Sequence, residues 1–160
     1  MRIGIISDTH GLLRAEVFEH FEGVEHIVHA GDVGPADILD ELATIAPVTA
    51  VSGNTDDWDI RNIVREVASV DLDGMSGVVV HGHRFGSPTP TKLAAEYPEA
   101  DFVIFGHSHR PLVQQVGSVL AVNPGSAGPP RFGSVPTLMV ATIEGDQMSP
   151  RLIHLDPGRK

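Results

Sequence analysis

The chain has 160 residues and a formal net charge of -10 at pH 7, and hydrophobic residues make up 41% of it. This length fits one domain that buries roughly 70% of its unfolded surface, and the composition excludes a disordered chain. The absence of cysteine excludes disulfides, cysteine nucleophiles and thiolate metal sites, while the acidic surplus argues against broad nucleic-acid binding.

The first third of the chain alternates short apolar runs with amphipathic segments. The run Ile3–Ile6 ends in Ser-Asp and predicts a buried strand, and Arg14–Phe21 places its apolar side chains on one helical face. A strand over His26–Ala30, a helix over Ala36–Ile45 and a strand over Val48–Val51 are predicted next. Strands that alternate with helices indicate βαβ units and a partly parallel sheet.

The rest of the chain is richer in predicted strands. Asp73-Gly74 and Gly117-Ser118 are turn signals that each separate two apolar runs, which predicts two hairpins, and Lys92–Tyr97 predicts a short helix. The predicted strands are Val64–Leu72, Val78–His81, Phe102–Phe105, Leu112–Val116, Val119–Val122, Thr137–Ile143 and Arg151–Leu155. We therefore expect two mixed sheets that pack face to face, with helices outside.

No repeat, linker or low-complexity tract divides the chain, so we expect a single domain over residues 1–156 and a frayed tail over residues 157–160. The N-terminal sequence MRIGIISDTH lacks the apolar stretch of a secretion signal, and no apolar run approaches the ~20 residues that span a bilayer. These features predict a cytoplasmic protein without a membrane segment. The sequence leaves the oligomeric state open, a homo-oligomer included.

Polar side chains of the kinds that bind metal ions follow the predicted strands at the points where those strands end. Open α/β sheets bind ligands in the crevice beyond the carboxyl ends of their strands, so we expect these side chains to converge. The residues are Asp8, His10, Asp32, Asn54, Asp56, His81, His83, His107 and His109.

Each of these motifs alone has an ordinary structural explanation. Asp8 can cap a helix, Asn54 can form a turn and His81 can be a packed core histidine, whereas His107-Ser108-His109 is more specific to a metal site. Together, aspartate, asparagine and histidine without cysteine suit divalent ions such as Mn²⁺, Fe²⁺, Zn²⁺ or Ni²⁺. Seven ligands exceed the four of a tetrahedral site and fit two ions that share one carboxylate.

The motifs SDTHG, HAGD, SGNTD, VHGH, FGHSH and NPGS occur in this order along nearly the whole chain. In this order they resemble the calcineurin-like metallophosphoesterases, and NPGS with the single-domain length is similar to the small YfcE-type phosphodiesterase branch. The resemblance implies an α/β fold, a four-layer αββα sandwich. It also implies a hydrolase for small phosphodiesters or phosphate esters, whose nucleophile is a hydroxide that bridges two metal ions.

The resemblance further implies which residues hold the two ions and which ion they hold. The implied ligands are Asp8, His10 and His109 for one ion, Asn54, His81 and His107 for the other, and Asp32 as the bridge between them. Asp32 would also orient the bridging hydroxide, and Asn54 would assist catalysis. Mn²⁺ is the first expectation for both ions, with Ni²⁺, Fe²⁺ or Zn²⁺ as alternatives.

One position departs from the family pattern. Many relatives have a histidine after the metal-ligating asparagine, thought to protonate the leaving group, but this chain has Thr55, which cannot act as an acid near pH 7. His83 is our candidate for a substitute general acid, and a supporting loop histidine is the alternative. The YfcE-type branch departs at the same position.

Four further roles are weighed against plainer explanations. Arg131 and Asn54 are candidates for contacting the substrate phosphate, although a solvated loop residue is the favoured explanation for Arg131. Asp56 can support a metal-bound histidine or the Asn54 loop, or it can be a turn carboxylate. We expect His29 to be a packed strand histidine.

Two functions of different classes fit this sequence. The leading interpretation is a phosphoesterase with two metal ions. The alternative is a protein-binding module with a vestigial metal site, similar to the retromer scaffold subunit. All seven ligand positions are present, which favours the enzyme, because binding modules of this family tend to lose ligand histidines.

Overall fold

The computed structural model describes all residues from 1 to 160. The ten strands are β1 (Arg2–Ile6), β2 (His26–His29), β3 (Val48–Ala50), β4 (Val67–Leu72), β5 (Met75–Val80), β6 (Phe102–Ile104), β7 (Leu112–Val116), β8 (Val119–Asn123), β9 (Thr137–Glu144) and β10 (Gln147–His154). The four α-helices are α1 (Ala15–His20), α2 (Asp37–Ala43), α3 (Trp58–Ile63) and α4 (Pro90–Glu96), and a 3-10 helix covers His83–Phe85.

The strands form two five-stranded mixed sheets. The first sheet has the order β10-β9-β1-β2-β3, and β1, β2 and β3 run parallel to one another. The second has the order β4-β5-β6-β8-β7, and β5, β6 and β8 run parallel. The prediction of two mixed sheets is confirmed, and both predicted hairpins, β4–β5 and β7–β8, form antiparallel pairs.

Alternation along the strands divides the core into layers. Ile3 and Ile5 of β1 lie between the sheets, against Phe102 and Ile104 of β6, whereas Ile6 faces α1 and α2 on the outside. This is the period-two pattern of a strand that is buried on both faces. A third cluster packs α4 on the outer face of the second sheet. The order helices, sheet, sheet, helix confirms the predicted four-layer αββα sandwich.

Several elements differ from the prediction: β4 begins at Val67 rather than Val64, β5 begins at Met75 rather than Val78, and the 3-10 helix was not predicted. The helix α3 was not predicted, because only Ile60 of it is fully buried while Trp58 is 75% exposed, so no apolar stripe marks it. The strand β10 begins at Gln147 and runs through Pro150, whereas the predicted strand began at Arg151. Proline is tolerated there because β10 is an edge strand and needs no second hydrogen-bonding partner.

The last residues of the chain lie against α1. The buried guanidinium of Arg14 donates hydrogen bonds to the carbonyl oxygens of Asp156 and Arg159, and Arg159 forms an ion pair with Glu19. Arg14 also donates to the carbonyl of Ala127, in the loop that precedes β9.

None of the helices combines the length and the apolar composition that a membrane-spanning segment needs.

Candidate metal centre

The candidate ligands all lie in loops that follow parallel strands. Asp8 and His10 follow β1, and the loops after β2 and β3 carry Asp32 and Asn54. On the second sheet, His81 directly follows β5, while His107 and His109 follow β6. Because carboxyl ends of parallel strands share one edge of a sheet, and the two sheets pack face to face, the loops of both sheets meet at one end of the sandwich.

The first group of side chains converges on one oxygen of Asp8. Asp8 Oδ1 lies 3.0 Å from His109 Nε2 and 3.7 Å from His10 Nε2, and the two imidazole nitrogens are 3.2 Å apart. Ligands of one ion at ~2.1 Å are separated by roughly 3.0–3.4 Å in octahedral or tetrahedral geometry. Two of the three separations fall in this range and the third, from His10 Nε2 to Asp8 Oδ1, is only slightly longer, so the three donors are close to the spacing of ligands to a common ion.

The second group is built around Asp32 and His81. His81 Nε2 lies 3.3 Å from Asp32 Oδ2 and 3.1 Å from Asn54 Oδ1. Asp32 Oδ2 is also 3.8 Å from His10 Nε2, and Asp8 Oδ1 is 3.9 Å from His81 Nε2. The two groups therefore lie side by side. Asp32 Oδ2 faces both His10 of the first group and His81 of the second.

Two further imidazoles lie beside His81. The ring of His107 is edge-on to that of His81 with the centroids 5.2 Å apart, and the ring of His83 is 5.5 Å from it. His83 belongs to the 3-10 helix, and its ring is 6.3 Å from that of His107. The structure therefore brings all nine of the polar residues predicted after strands to the same end of the molecule, although Asp56 has a different role, described below.

Asp8 has one oxygen fully engaged and the other without a partner. Its Oδ2 accepts hydrogen bonds from the Ser7 hydroxyl at 2.6 Å and the His107 backbone N–H at 3.2 Å. Its Oδ1 is buried and has no hydrogen-bond partner, yet it faces three imidazoles. A buried carboxylate oxygen without a partner is costly, and a cation would remove this cost. Two overlapping groups fit a metal, Asp8 with His10 and His109, and Asp8 with Asp32 and His81.

The protonation preferences of these groups also suit cation binding. Burial alone would raise the pKa of Asp8, but the imidazoles of His10 and His109 and the Ser7 hydroxyl outweigh it and hold the pKa well below its usual range. Burial likewise opposes ionisation of Asp32, yet His81 lowers the pKa of this carboxyl to about 2. Both carboxylates are therefore ionised at neutral pH and present two negative charges.

The orientation of His81 leaves one defined nitrogen for an ion. Its Nδ1–H donates a 2.8 Å hydrogen bond to the carbonyl of Ala30, so Nε2 is the nitrogen that faces Asp32 and Asn54. A backbone carbonyl on the far nitrogen is the usual support for a metal-binding imidazole. Burial lowers the pKa of His81, but the carboxylates of Asp32 and Asp8 prevail and raise it. A cation at Nε2 would displace that proton.

The backbone at the ligands is unusual. Left-handed φ angles occur at seven non-glycine residues, and five of these are candidate ligands. The five are Asp8, His10, Asp32, His107 and His109, with φ between 47° and 68°. Non-glycine residues in this region are strained, and such strain concentrates at functional sites. Residue types and spacing in the sequence carry no signal for this backbone conformation.

Three glycines, each immediately before a candidate ligand, allow the loops to approach closely. A Cβ on Gly31 would lie 2.8 Å from His81 Nδ1, one on Gly53 would lie 2.0 Å from Asp32 Oδ1, and one on Gly106 would lie 2.7 Å from Asp8 Oδ2. Each glycine therefore packs against a candidate ligand from another loop. The candidate ligands are held by contacts of backbone with side chain, which leave no room for a larger residue.

Asp56 joins two of the ligand loops. Its Oδ1 accepts hydrogen bonds from the backbone N–H groups of Val33 and Gly34 at 2.8 and 3.0 Å, and its Oδ2 accepts one from Gly53 at 2.8 Å. Asp56 thus supports the Asp32 and Asn54 loops through their backbone and contacts no metal-facing histidine. Of the two supporting roles that the sequence suggested, the geometry favours the second.

We expect Asp56→Asn to lower the free energy of unfolding by about 2 kcal/mol. In one orientation the new amide NH₂ would face the N–H of Gly53, and in the other it would face the N–H groups of Val33 and Gly34. In either case two hydrogen-bond donors would point at each other. Urea unfolding of the purified variant measures this change, with Asp59→Asn on the exposed face of α3 as the control. A variant as stable as the control would contradict the loop-joining role.

His29 and Arg131 have contrasting environments near this region. His29 is fully buried, accepts the N–H of Gly31 at Nδ1, and donates from Nε2 to the Thr9 hydroxyl at 3.0 Å. Burial lowers the pKa of His29 to about 4, so it is a neutral packed histidine, as the sequence analysis expected. Arg131 is exposed and borders a cavity together with His107 and His109.

Comparison with known proteins places the chain in a family. The family model of the calcineurin-like phosphoesterase superfamily domain matches residues 1–146. A probable metallophosphoesterase from Methanothermobacter thermautotrophicus is 36% identical over 96% of this chain and 92% of its own length. The phosphodiesterase YfcE from Escherichia coli is 32% identical over 84% of this chain and 83% of its own length.

A solved structure extends the likeness to the fold. Vps29 from Chaetomium thermophilum has a TM-score of 0.85 and 18% identity, and the match covers all of this chain and 94% of that one. At this identity the likeness concerns the fold alone. The family domain matched over residues 1–146 and the two relatives above 30% identity identify the family. The chain belongs to the calcineurin-like phosphoesterase superfamily, with YfcE among its relatives.

Proposed function

We propose that the protein is a phosphodiesterase that uses two divalent metal ions and water as its nucleophile. The observation that carries this proposal is the buried, partnerless Oδ1 of Asp8, which faces the imidazoles of His10, His81 and His109 at 3.0–3.9 Å. An arrangement of this kind is costly unless a cation completes it. The relatives named phosphodiesterase and metallophosphoesterase support the reaction class.

We assign the donors to two ions that lie side by side. The proposed ligands are Asp8, His10 and His109 for one ion, Asn54, His81 and His107 for the other, and Asp32 between them. The position of Asp32 Oδ2 between His10 and His81 supports its bridging role. Oxygen and imidazole donors without cysteine suit Mn²⁺ first, with Ni²⁺, Fe²⁺ and Zn²⁺ as alternatives.

When bound, two such ions lower the pKa of a shared water and neutralise charge on the phosphoryl oxygens. The residues of the chain supply position and orientation. The Thr55 backbone N–H donates to Asp32 Oδ1 at 2.9 Å, which leaves Oδ2 directed at the histidines. Asn54 is exposed at the rim of the site, so its amide can contact a metal through oxygen and a phosphoryl oxygen through nitrogen.

We propose that His83 contacts the leaving group in place of the histidine that Thr55 replaces. His83 is half-buried at the edge of the imidazole cluster, 5.5 Å from the ring of His81. Burial, and then the charge of His81, lower the pKa of His83, so its ring is neutral at pH 7. It therefore donates a hydrogen bond rather than a full proton, which favours substrates with good leaving groups.

A protein-binding module with a vestigial metal site is the second candidate, and the likeness of fold to Vps29 favours it. Metal content and activity separate the two functions. We expect the protein, saturated with Mn²⁺ and freed of excess, to hold two ions per chain by elemental analysis. We also expect it to hydrolyse bis(p-nitrophenyl) phosphate faster than p-nitrophenyl phosphate.

A matched pair of variants makes this experiment specific to the site. His109→Ala should reduce the ion content and abolish most hydrolysis, whereas His20→Ala at the surface end of α1 should change neither. One ion per chain with full activity would overturn the two-ion proposal. Fewer than one ion together with no hydrolysis of either ester would overturn the enzyme and leave the binding module.

A further inference from the structure

Two arginines line a cavity of about 450 Å³ that borders the proposed metal centre. Its wall includes His107, His109, Arg110, Arg131 and Phe132. Arg110 and His107 also line a neighbouring cavity of about 620 Å³. Arg110 directly follows the FGHSH motif and is a functional candidate that motif reasoning misses.

Neither guanidinium is neutralised by the protein. The arginine side chains in ion pairs with carboxylates are Arg84, with Glu66, and Arg159, with Glu19. Arg110 and Arg131 form no such pair, and no aspartate or glutamate lines either cavity. In a chain of net charge -10, this local surplus of positive charge stands out and attracts anions.

Both arginines project from anchored backbone. The backbone N–H of Arg131 donates a 3.1 Å hydrogen bond to the Ser134 hydroxyl. In return, the backbone N–H of Ser134 donates a 3.0 Å hydrogen bond to the Arg131 carbonyl. The Arg110 N–H lies 3.3 Å from the Ser108 hydroxyl, to which the amide of Asn123 also donates. Because the backbone is already held, the ordering that ligand binding requires is confined to the two arginine side chains.

The scissile phosphate does not account for these charges. A phosphodiester carries one negative charge, and in the proposed function two divalent ions already neutralise it. Guanidinium groups placed beside the centre are suited to a second anionic group of the same substrate, because their fork of donors matches phosphate oxygens. Phe132, whose side chain is fully exposed at the rim of the same cavity, offers a planar apolar face.

We propose that the substrate is a nucleotide phosphodiester that carries a second phosphate group. This proposal rests on the proposed function. Arg110 and Arg131 bind the second phosphate in the cavity, and the base lies against the ring of Phe132, where stacking is tolerant of base identity. The metal centre holds the diester that is cleaved, and the two arginines select among diesters.

The test compares two substrates that differ by one phosphate. The probes are thymidine 3′-(p-nitrophenyl phosphate) and the same compound with a 5′-phosphate, which share their leaving group. We expect kcat/KM for the 5′-phosphorylated probe to be about 10- to 100-fold higher, the factor that one or two charge-assisted hydrogen bonds supply. Bis(p-nitrophenyl) phosphate serves as the substrate with neither base nor second phosphate.

Substitutions at the two arginines test whether their side chains cause the preference for the 5′-phosphorylated probe. Arg110→Gln combined with Arg131→Gln should reduce the ratio of kcat/KM between the 5′-phosphorylated and the unphosphorylated thymidine probe to below about 3-fold. Arg151→Gln on the edge strand β10 is the control for lost charge and should keep the full preference. Thermal unfolding of each variant establishes that the fold is retained.

The outcomes separate this proposal from the proposed function. Equal kcat/KM for the two thymidine probes in the wild type, with active hydrolysis of bis(p-nitrophenyl) phosphate, would overturn the second-phosphate subsite and leave the phosphodiesterase standing. A preference that survives in the double variant would also overturn the subsite. No hydrolysis of any probe under saturating Mn²⁺ would overturn the proposed function itself.

Discussion

Replacing Asp32 by asparagine is expected to lower kcat for bis(p-nitrophenyl) phosphate by about 10³-fold or more while the fold is retained. The substitution keeps the size of the side chain and the oxygen that accepts the Thr55 N–H, but it removes the negative charge between His10 and His81. The ion content should fall from two per chain to one or fewer, because a neutral amide is a poor bridge between two cations.

The matched control for this variant is Asp40→Asn, which removes a carboxylate from the exposed side of α2. It should retain wild-type turnover and both ions. Urea unfolding of the Asp32→Asn protein without metal should remain cooperative, since the backbone contacts of the loop persist, although the variant loses the attraction between the ionised carboxylate and His81. Turnover close to that of the wild type would show that Asp32 does not bridge.

Gly53→Ala is expected to lower activity by at least about 10²-fold through geometry alone, because displacements of ~1 Å are this costly in active sites. The new Cβ would lie 2.0 Å from Asp32 Oδ1 and 2.5 Å from the Asp32 backbone nitrogen. The loop cannot retreat freely, because the Gly53 N–H is bound to Asp56, which also binds the Asp32 loop. Overpacking here should also destabilise the protein by about 1–3 kcal/mol.

Steady-state kinetics and urea unfolding measure the two effects of Gly53→Ala. The control is Gly158→Ala near the C-terminus, where a Cβ would meet nothing closer than 3.4 Å. Added Mn²⁺ should restore little of the lost activity, since the displaced group is a ligand rather than an ion. If Gly53→Ala matched the control in activity, the close packing of this glycine would have no part in positioning Asp32.

Most of the architecture was predictable from hydrophobic patterning. The apolar runs before Asp8, Asp32, Asn54 and His107 are short and end abruptly, so strand ends and their polar successors could be located together. The helix α3 escaped prediction because its Trp58 and Ile63 are exposed, and a helix without a buried stripe has no periodic signal. Its visible signal was Asp57, which caps the helix through the Asp59 N–H.

The finer parts of the site depend on contacts between residues distant in sequence. That Asp56 accepts the N–H groups of Val33 and Gly34, more than twenty positions earlier, has no local signature. The same holds for Arg110 and Arg131, which share a cavity only because the loops after β6 and β8 adjoin. Pattern reasoning locates side chains along the chain, whereas packing decides which atoms meet.

The left-handed backbone at five candidate ligands sets stability and activity against each other at the same positions. Glycine relieves such a conformation, by an amount of order 1 kcal/mol or more per residue, but it has no donor for a cation. A directed-evolution experiment that selects only for heat resistance would therefore enrich glycine at His10, His107 and His109, whose side chains are only partly buried, rather than at the buried, hydrogen-bonded Asp8 and Asp32. The descendants selected in this way would lack imidazoles of the candidate metal centre.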